Sequence, residues 1–163
     1  MAKTVLDMSM SLDGFISGPQ HDAAHPLGLD GHRLHDWLAD GTGDPATYRP
    51  DGPSGEVFDE LMATGAVIVG RRTFVTDGIE SAVAQAKAAA GDRNVLLHGA
   101  ATGQQCLRAG LLDEMEIHVV PVLLGRGRRL FDHLGADHIE LGPTRVVDAP
   151  GVLNLHYRVR RKG

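Results

Sequence analysis

Short apolar runs, separated by glycine-rich turns, are the main pattern of this chain and predict buried β-strands. The runs lie at residues 4–11, 66–69, 93–97 and 115–120. The run at 66–69 is continuously apolar, which is typical of a strand in a sheet covered on both faces. From 153 to 160, apolar and polar residues alternate instead, which predicts a half-exposed antiparallel strand.

Helical signals fill the segments between these strands. Apolar residues at helical spacing predict a short helix over residues 33–39. Ser54 can cap a second helix, and Gly65 can stop it. Asp77 and Glu80 stand at capping-box spacing before an alanine-rich stretch, which predicts a third helix.

A fourth helix is predicted between two glycines. Gly99 turns the chain after a buried strand, residues 100–109 can be helical, and Gly110 supplies the positive φ that ends the helix. Strands that alternate with helices and are followed by C-terminal strands predict an α/β domain with a mixed, mainly parallel sheet.

Length and composition favour one globular domain that spans residues 1–163. The net charge of −5 suggests neither a nucleic-acid partner nor an anionic membrane surface. Cys106 is the only cysteine, which excludes an intrachain disulfide and a thiolate zinc cluster, and we expect it to be a packed core residue. Because no leader-like or membrane-spanning segment is seen, a cytoplasmic enzyme is the default expectation.

The start of the fourth helix is a candidate anion site. A helix N-terminus just beyond a strand presents free N–H groups and a positive dipole end. The small residues Gly99, Ala100, Ala101 and Thr102 would let a phosphate or ribose approach the backbone. A tight strand-to-helix connection also requires small residues, so that alternative stays open.

Other candidate residues follow strands or lie in loops. Asp13 ends the first strand, where open parallel sheets place their ligand crevice, so it can face a substrate; it can also be an Asx-turn residue before Gly14. Trp37 is either a core residue or the wall of a substrate pocket. Gly125 and Gly127 bracket Arg126 in a loop where the backbone could approach a ligand.

Histidines crowd the segment from His21 to His35. Their spacing does not bring three or four ligands together, so we expect a solvated loop and no metal site.

Four motifs in order resemble the dihydrofolate reductase-like superfamily. They are MSLDGFISG at 10–18, VIVGRRTF at 67–74, GLLDE at 110–114 and PVLLGRGRRLF at 121–131. The closer resemblance is to the reductase domain of riboflavin biosynthesis, the C-terminal domain of bacterial bifunctional deaminase-reductases, and to its stand-alone relatives. The resemblance covers most of the chain and implies the dihydrofolate reductase-like fold.

This resemblance implies an NADPH-dependent oxidoreductase that acts on a small polar substrate, such as a pterin- or pyrimidine-like heterocycle. It makes Gly70, Arg71, Arg72 and Thr73 a pyrophosphate-binding turn. Without it, the same residues would be a strand-ending glycine followed by solvated arginines. A non-catalytic dinucleotide-binding or sensor protein with the same fold is the alternative.

His98 departs from the family pattern, which usually has a small residue before the glycine. A lone histidine at a strand end is more often a hydrogen-bonded structural residue than a catalyst, and we expect the structural role here.

The resemblance also predicts an oligomeric state and a difference in chain length from the relatives. Relatives commonly pair through C-terminal strands, and the tail strand and the run 115–120 offer apolar faces, so we expect a symmetric homodimer.

Relatives carry a further strand and a loop between the GRRTF-like turn and the capped helix. Here only Val75 and Thr76 separate Phe74 from Asp77. Either the protein has lost that strand and its loop, or the sequence omits a segment near residues 74–75, and we expect the omission.

Overall fold

The structure is a computed structural model that describes residues 2–22, 24–38, 47–69, 77–132, 134–135 and 138–160. The strands are β1 Thr4–Ser11, β2 Phe15–Ser17, β3 Ala66–Val69, β4 Val95–His98, β5 Glu114–Val120, β6 Arg128–Arg129, β7 Glu140–Ala149 and β8 Val152–Arg160. The helices are a 3₁₀ helix at Gly31–Leu38, α1 Gly52–Met62, α2 Ile79–Ala90 and α3 Ala100–Arg108.

Six strands form one sheet in the order β3-β4-β1-β5-β8-β7. β1 pairs in parallel with β4 and β5, and β3 pairs in parallel with β4. β8 is antiparallel to both β5 and β7. The predicted fold class, a mainly parallel mixed sheet with antiparallel C-terminal strands, is confirmed. β2 and β6 form a separate two-stranded ribbon.

The two faces of the sheet differ in polarity because neighbouring residues of a strand point to opposite sides. One face is apolar: Leu6, Leu97 and Met115 are fully or almost fully buried in the main core, which α2 and α3 complete. The opposite face carries buried polar side chains below the 3₁₀ helix, among them Asp7 and His118. This polar face holds much of the chemistry described below.

Two predicted helix starts are wrong in detail. α1 begins one turn early, with Asp51 as its N-cap and Pro53 in its first turn, so Ser54 lies inside the helix. Proline favours this because its fixed φ suits the first helical turn. α2 is capped by Gly78, and no side chain makes a capping hydrogen bond to it. The short helix predicted at 33–39 is a 3₁₀ helix.

The location of two strands corrects the surfaces expected from the sequence. β3 pairs only with β4 among the described strands, and Val67 and Val69 are 54% and 57% exposed, so this strand is not covered on both faces. β5 is an interior strand whose Met115 and Ile117 belong to the core, so its apolar residues do not form a docking face. The tail strand β8 keeps a partly exposed apolar side.

The expectation of an absent segment near Phe74 and Val75 falls outside the described residues and stays a prediction. None of the helices that the structure describes is both long and apolar enough to cross a membrane.

Candidate functional site

A cavity of about 750 Å³ opens at the carboxyl end of β4, beside Met8 of β1, where α3 begins. We call it the helix cavity. Its walls include Met8, Ser17, His35, His98, the segment from Gly99 to Thr102, and Arg128. Its volume lies within the range of small-molecule binding sites. The structure therefore brings together four of the predicted cofactor-binding residues at the edge of the sheet where ligands of open α/β folds bind.

Gly99 makes the approach to α3 possible. Its φ of +106° is in the region that favours glycine, and it is the N-cap of α3. Its own amide donates to the Met8 sulfur at 3.1 Å. An added Cβ would find no atom within 4 Å, so the space in front of this backbone is open. A ligand phosphate can thus reach the first-turn amides of α3.

Arg128 adds a positive charge to the helix cavity. It lies on β6 opposite Ser17 of β2, and its side chain is exposed. An arginine beside a helix N-terminus suits an anionic ligand, since both attract negative charge.

A second cavity, of about 460 Å³, lies over the polar face of the sheet. We call it the sheet cavity. Its walls include Asp7, Ser9, Trp37, Phe58 and His118. Trp37 Nε1 donates to Ser9 Oγ at 3.1 Å, and its ring lies 4.6 Å from the His118 ring. Trp37 is therefore both a core residue and a cavity wall, as the two alternatives allowed. His35 and His98 line both cavities.

Asp7, His118 and Asn154 form a buried chain of hydrogen bonds across three strands. His118 Nε2 lies 2.7 Å from Asp7 Oδ2, and His118 Nδ1 lies 2.7 Å from Asn154 Oδ1. Asn154 Nδ2 donates to Val147 O, which leaves its Oδ1 as an acceptor. Both ring nitrogens of His118 therefore face oxygen acceptors, an arrangement that favours the protonated ring beside Asp7.

The pKa values of this face follow from burial and from the Asp7–His118 pair. Burial alone would lower the pKa of His118, but the hydrogen bond and charge of Asp7 outweigh it and raise that pKa. Glu116 lies beside Asp7 in the β1–β5 register. Burial raises its pKa to about 7; the charge of Asp7 adds to this and that of His118 opposes it.

Sequence reasoning missed Asp7, Glu116 and His118. The signal was present as polar residues at alternate positions inside two runs that were otherwise apolar.

Asp13 lies at the end of β1, as predicted, but it lines neither cavity. Its carboxylate accepts hydrogen bonds from Ser11 Oγ at 2.6 Å, Gly125 N at 2.7 Å and Leu124 N at 3.2 Å. The Ser11 bond, followed by those backbone bonds, lowers the pKa of Asp13. The carboxylate thus holds the loop after β5.

Gly125 and Gly127 do not line the cavities either. A Cβ on Gly127 would lie 2.0 Å from the carbonyl oxygen of Ser17, so this glycine admits the chain's own backbone. The predicted turn of Gly70, Arg71, Arg72 and Thr73 lies outside the described residues.

The sequence of this chain matches the model of one known protein family. The family model of the RibD C-terminal domain matches residues 78–150, which run from the start of α2 to the turn after β7. The chain has the RibD C-terminal fold. The resemblance seen in the sequence motifs is confirmed.

Solved structures with this RibD-like fold cover nearly all of the chain. A candidate riboflavin biosynthesis protein from Shewanella sp. PV-4 shares 20% identity at a TM-score of 0.67, with 99% of this chain and 100% of that chain covered. The riboflavin biosynthesis reductase Rib7 of Saccharomyces cerevisiae shares 16% identity at a TM-score of 0.53, with 98% and 89% covered.

A third structure is larger than this chain. It is a diaminohydroxyphosphoribosylaminopyrimidine deaminase/5-amino-6-(5-phosphoribosylamino)uracil reductase from Thermotoga maritima, which shares 11% identity at a TM-score of 0.64. The match covers 98% of this chain but 57% of the larger protein. No curated protein gives a significant sequence match.

Proposed function

We propose that this protein is an NADPH-dependent reductase that transfers a hydride to a small polar heterocycle of the pyrimidine class. The observation that carries the proposal is that the helix cavity, which is lined by the N-terminus of α3, shares His35 and His98 with the sheet cavity. Such an arrangement lets two ligands meet at His35 and His98.

The residues of the helix cavity fit an anionic dinucleotide. The first turn of α3 offers backbone amides for a phosphate, and Arg128 offers a positive charge. NADPH, when bound, would supply the hydride. The protein's own residues would hold the two ligands at the right distance for its transfer.

The sheet cavity fits a flat polar ring. Trp37 and Phe58 offer aromatic surface, while Ser9 and Asp7 offer polar atoms at the floor of the cavity. This mixture suits a pyrimidine better than a purely apolar substrate. The solved relative that is named as a uracil reductase supports the choice of substrate class.

The test is NADPH oxidation with 5-amino-6-(5-phosphoribosylamino)uracil, together with pterin and simple carbonyl compounds, and a separate titration of NADPH binding. We expect binding of NADPH and oxidation with the pyrimidine. Binding without oxidation of NADPH by any substrate would favour a non-catalytic dinucleotide-binding or sensor protein. Absence of binding would refute both functions.

A further inference from the structure

We propose that His98 donates the proton that accompanies hydride transfer and that Asp7 is its positioning residue. This inference rests on the proposed function and assigns that site its acid. It also reverses the structural role expected for His98 from the sequence.

The location of His98 is the first argument. His98 ends β4 directly before Gly99, and its side chain lines both cavities. A proton donor for a reduction must reach the substrate while a hydride arrives from the cofactor side. His98 occupies the wall where those two directions meet.

The hydrogen-bond pattern around Asp7 is the second argument. One carboxylate oxygen is bound by His118 at 2.7 Å, and the other lies 3.8 Å from His98 Nδ1. At this separation the carboxylate can orient the His98 ring without holding it in a hydrogen bond. With Nδ1 turned toward Asp7, Nε2 is the nitrogen that can donate to a substrate.

Solvent accessibility and ring surroundings distinguish His98 from the neighbouring His118 and His35. The His98 side chain is 42% exposed, so it can recover a proton from solvent after each turnover. His118 is 1% exposed, and both of its ring nitrogens are engaged. Burial, and then the charge of His98, lower the pKa of His35, which disfavours the protonated form that a proton donor needs.

The protonation step balances simply. When a hydride is added to the carbon of a C=N or C=O bond, the π electron pair moves to the nitrogen or oxygen. That atom takes the proton from His98 Nε2, which leaves a neutral imidazole. The imidazole then takes a proton from water. Several charged or titratable groups face this position from the surrounding elements: Asp7, His118, His35, His21, Asp22 and Arg128.

The central experiment compares His98→Gln with the control His32→Gln, whose side chain is exposed and lines neither cavity. We expect His98→Gln to lower kcat about 100-fold or more, the usual contribution of a general acid, and to leave the Kd for NADPH within about threefold. A kcat within about threefold of wild type would overturn the inference.

Asp7→Asn tests the positioning role. It should lower kcat and leave the KM for the pyrimidine within about threefold, because the His98 ring stays in the cavity wall but loses the carboxylate that orients it. An unchanged kcat in folded Asp7→Asn would remove Asp7 from the inference. Because this variant also leaves His118 without its partner, its folding is checked by circular dichroism, and the His98→Gln result decides if it does not fold.

A measurement without turnover completes the test. In protein with labelled histidine, NADP+ alone and uridine monophosphate alone should each shift the His98 ring resonances and leave those of His32 unchanged. No shift with either probe would overturn the location of His98 between the ligands. A wild-type protein that oxidises no NADPH refutes the proposed function as well, whereas normal turnover in His98→Gln refutes only the proton donor.

Discussion

Replacement of Glu116 by glutamine should stabilise the protein at alkaline pH. Glu116 is 8% exposed and lies beside the Asp7 carboxylate, and its pKa is raised from 4.5 to about 7, first by burial. A raised acid pKa means that the folded protein holds its proton where the unfolded chain has lost it. Wild-type stability therefore falls as the pH rises from the unfolded value of 4.5 through about 7.

The magnitude follows from the size of this shift. A change from 4.5 to about 7 corresponds to roughly 3 kcal/mol at pH values above both. About 2.5 kcal/mol of this loss in the free energy of unfolding falls between about pH 5 and about pH 8. Glutamine resembles the protonated acid and does not titrate, so Glu116→Gln should gain about this much relative to wild type over the same interval.

Urea unfolding of both proteins at the two pH values measures the difference. The matched control is Glu140→Gln, an exposed glutamate on β7, which should change stability by less than about 0.5 kcal/mol at either pH. A Glu116→Gln difference that does not grow with pH would show that Glu116 is ionised in the folded protein, and the reasoning from burial would be wrong.

Four further predictions concern the helix cavity, the buried pair, the cysteine and the assembly. Gly99→Val should weaken NADPH binding at least about tenfold, about 1.4 kcal/mol, because its side chain would block the approach of a phosphate to the backbone. The control Gly110→Val, at a φ of +66° at the far end of α3, should not weaken binding. Calorimetric titration of the folded variants measures both affinities, and equal values would remove α3 from the site. His118→Gln should lower the free energy of unfolding by about 3 kcal/mol at about pH 6. This loss should shrink as the pH rises through the raised pKa of His118, since the stabilisation by its charge is complete only below 6.5. A loss in urea unfolding that does not depend on pH would contradict the charged pair. Cys106 is buried and its pKa is raised to about 11, mainly by burial, so a thiol reagent should modify it only in unfolded protein, and rapid native labelling would refute this. We propose that two copies of the chain form a dimer through the partly exposed apolar side of β7 and β8. Val146 is 60% exposed there, so Val146→Asp should give monomers in light scattering, and a monomeric wild type would count against the dimer.

The strands with strong local signals were predicted well from the sequence. β1 and β3 have the predicted bounds, and Gly110 ends α3 with a φ of +66°. β7 was not predicted, because its glycine, proline and charged residues hide the pattern, and its pairing with β8 contains an irregularity near Pro143. Its pairing partner, and not its own composition, makes this segment a strand.

The candidate site was only partly predictable for a related reason. A glycine before a helix is a local signal, so the segment from Gly99 to Thr102 could be found. The Asp7–His118 pair joins residues 111 apart in sequence, and no local pattern shows which polar residues of two separate strands will meet. Asp13 shows the converse: its position was predicted, but the loop amides that occupy its carboxylate were not.

The central location of β1 has a consequence for synthesis of the protein on the ribosome. β1 is made early, but it lies between β4 and β5, and its full register with β5 extends from Val5 to Ser11. The nascent strand must therefore wait until residue 120 has emerged before both of its edges are covered. Contacts so distant in sequence slow folding and leave apolar strands exposed to aggregation. Chaperone dependence during translation should thus be set by β1, not by the C-terminal hairpin that completes the sheet.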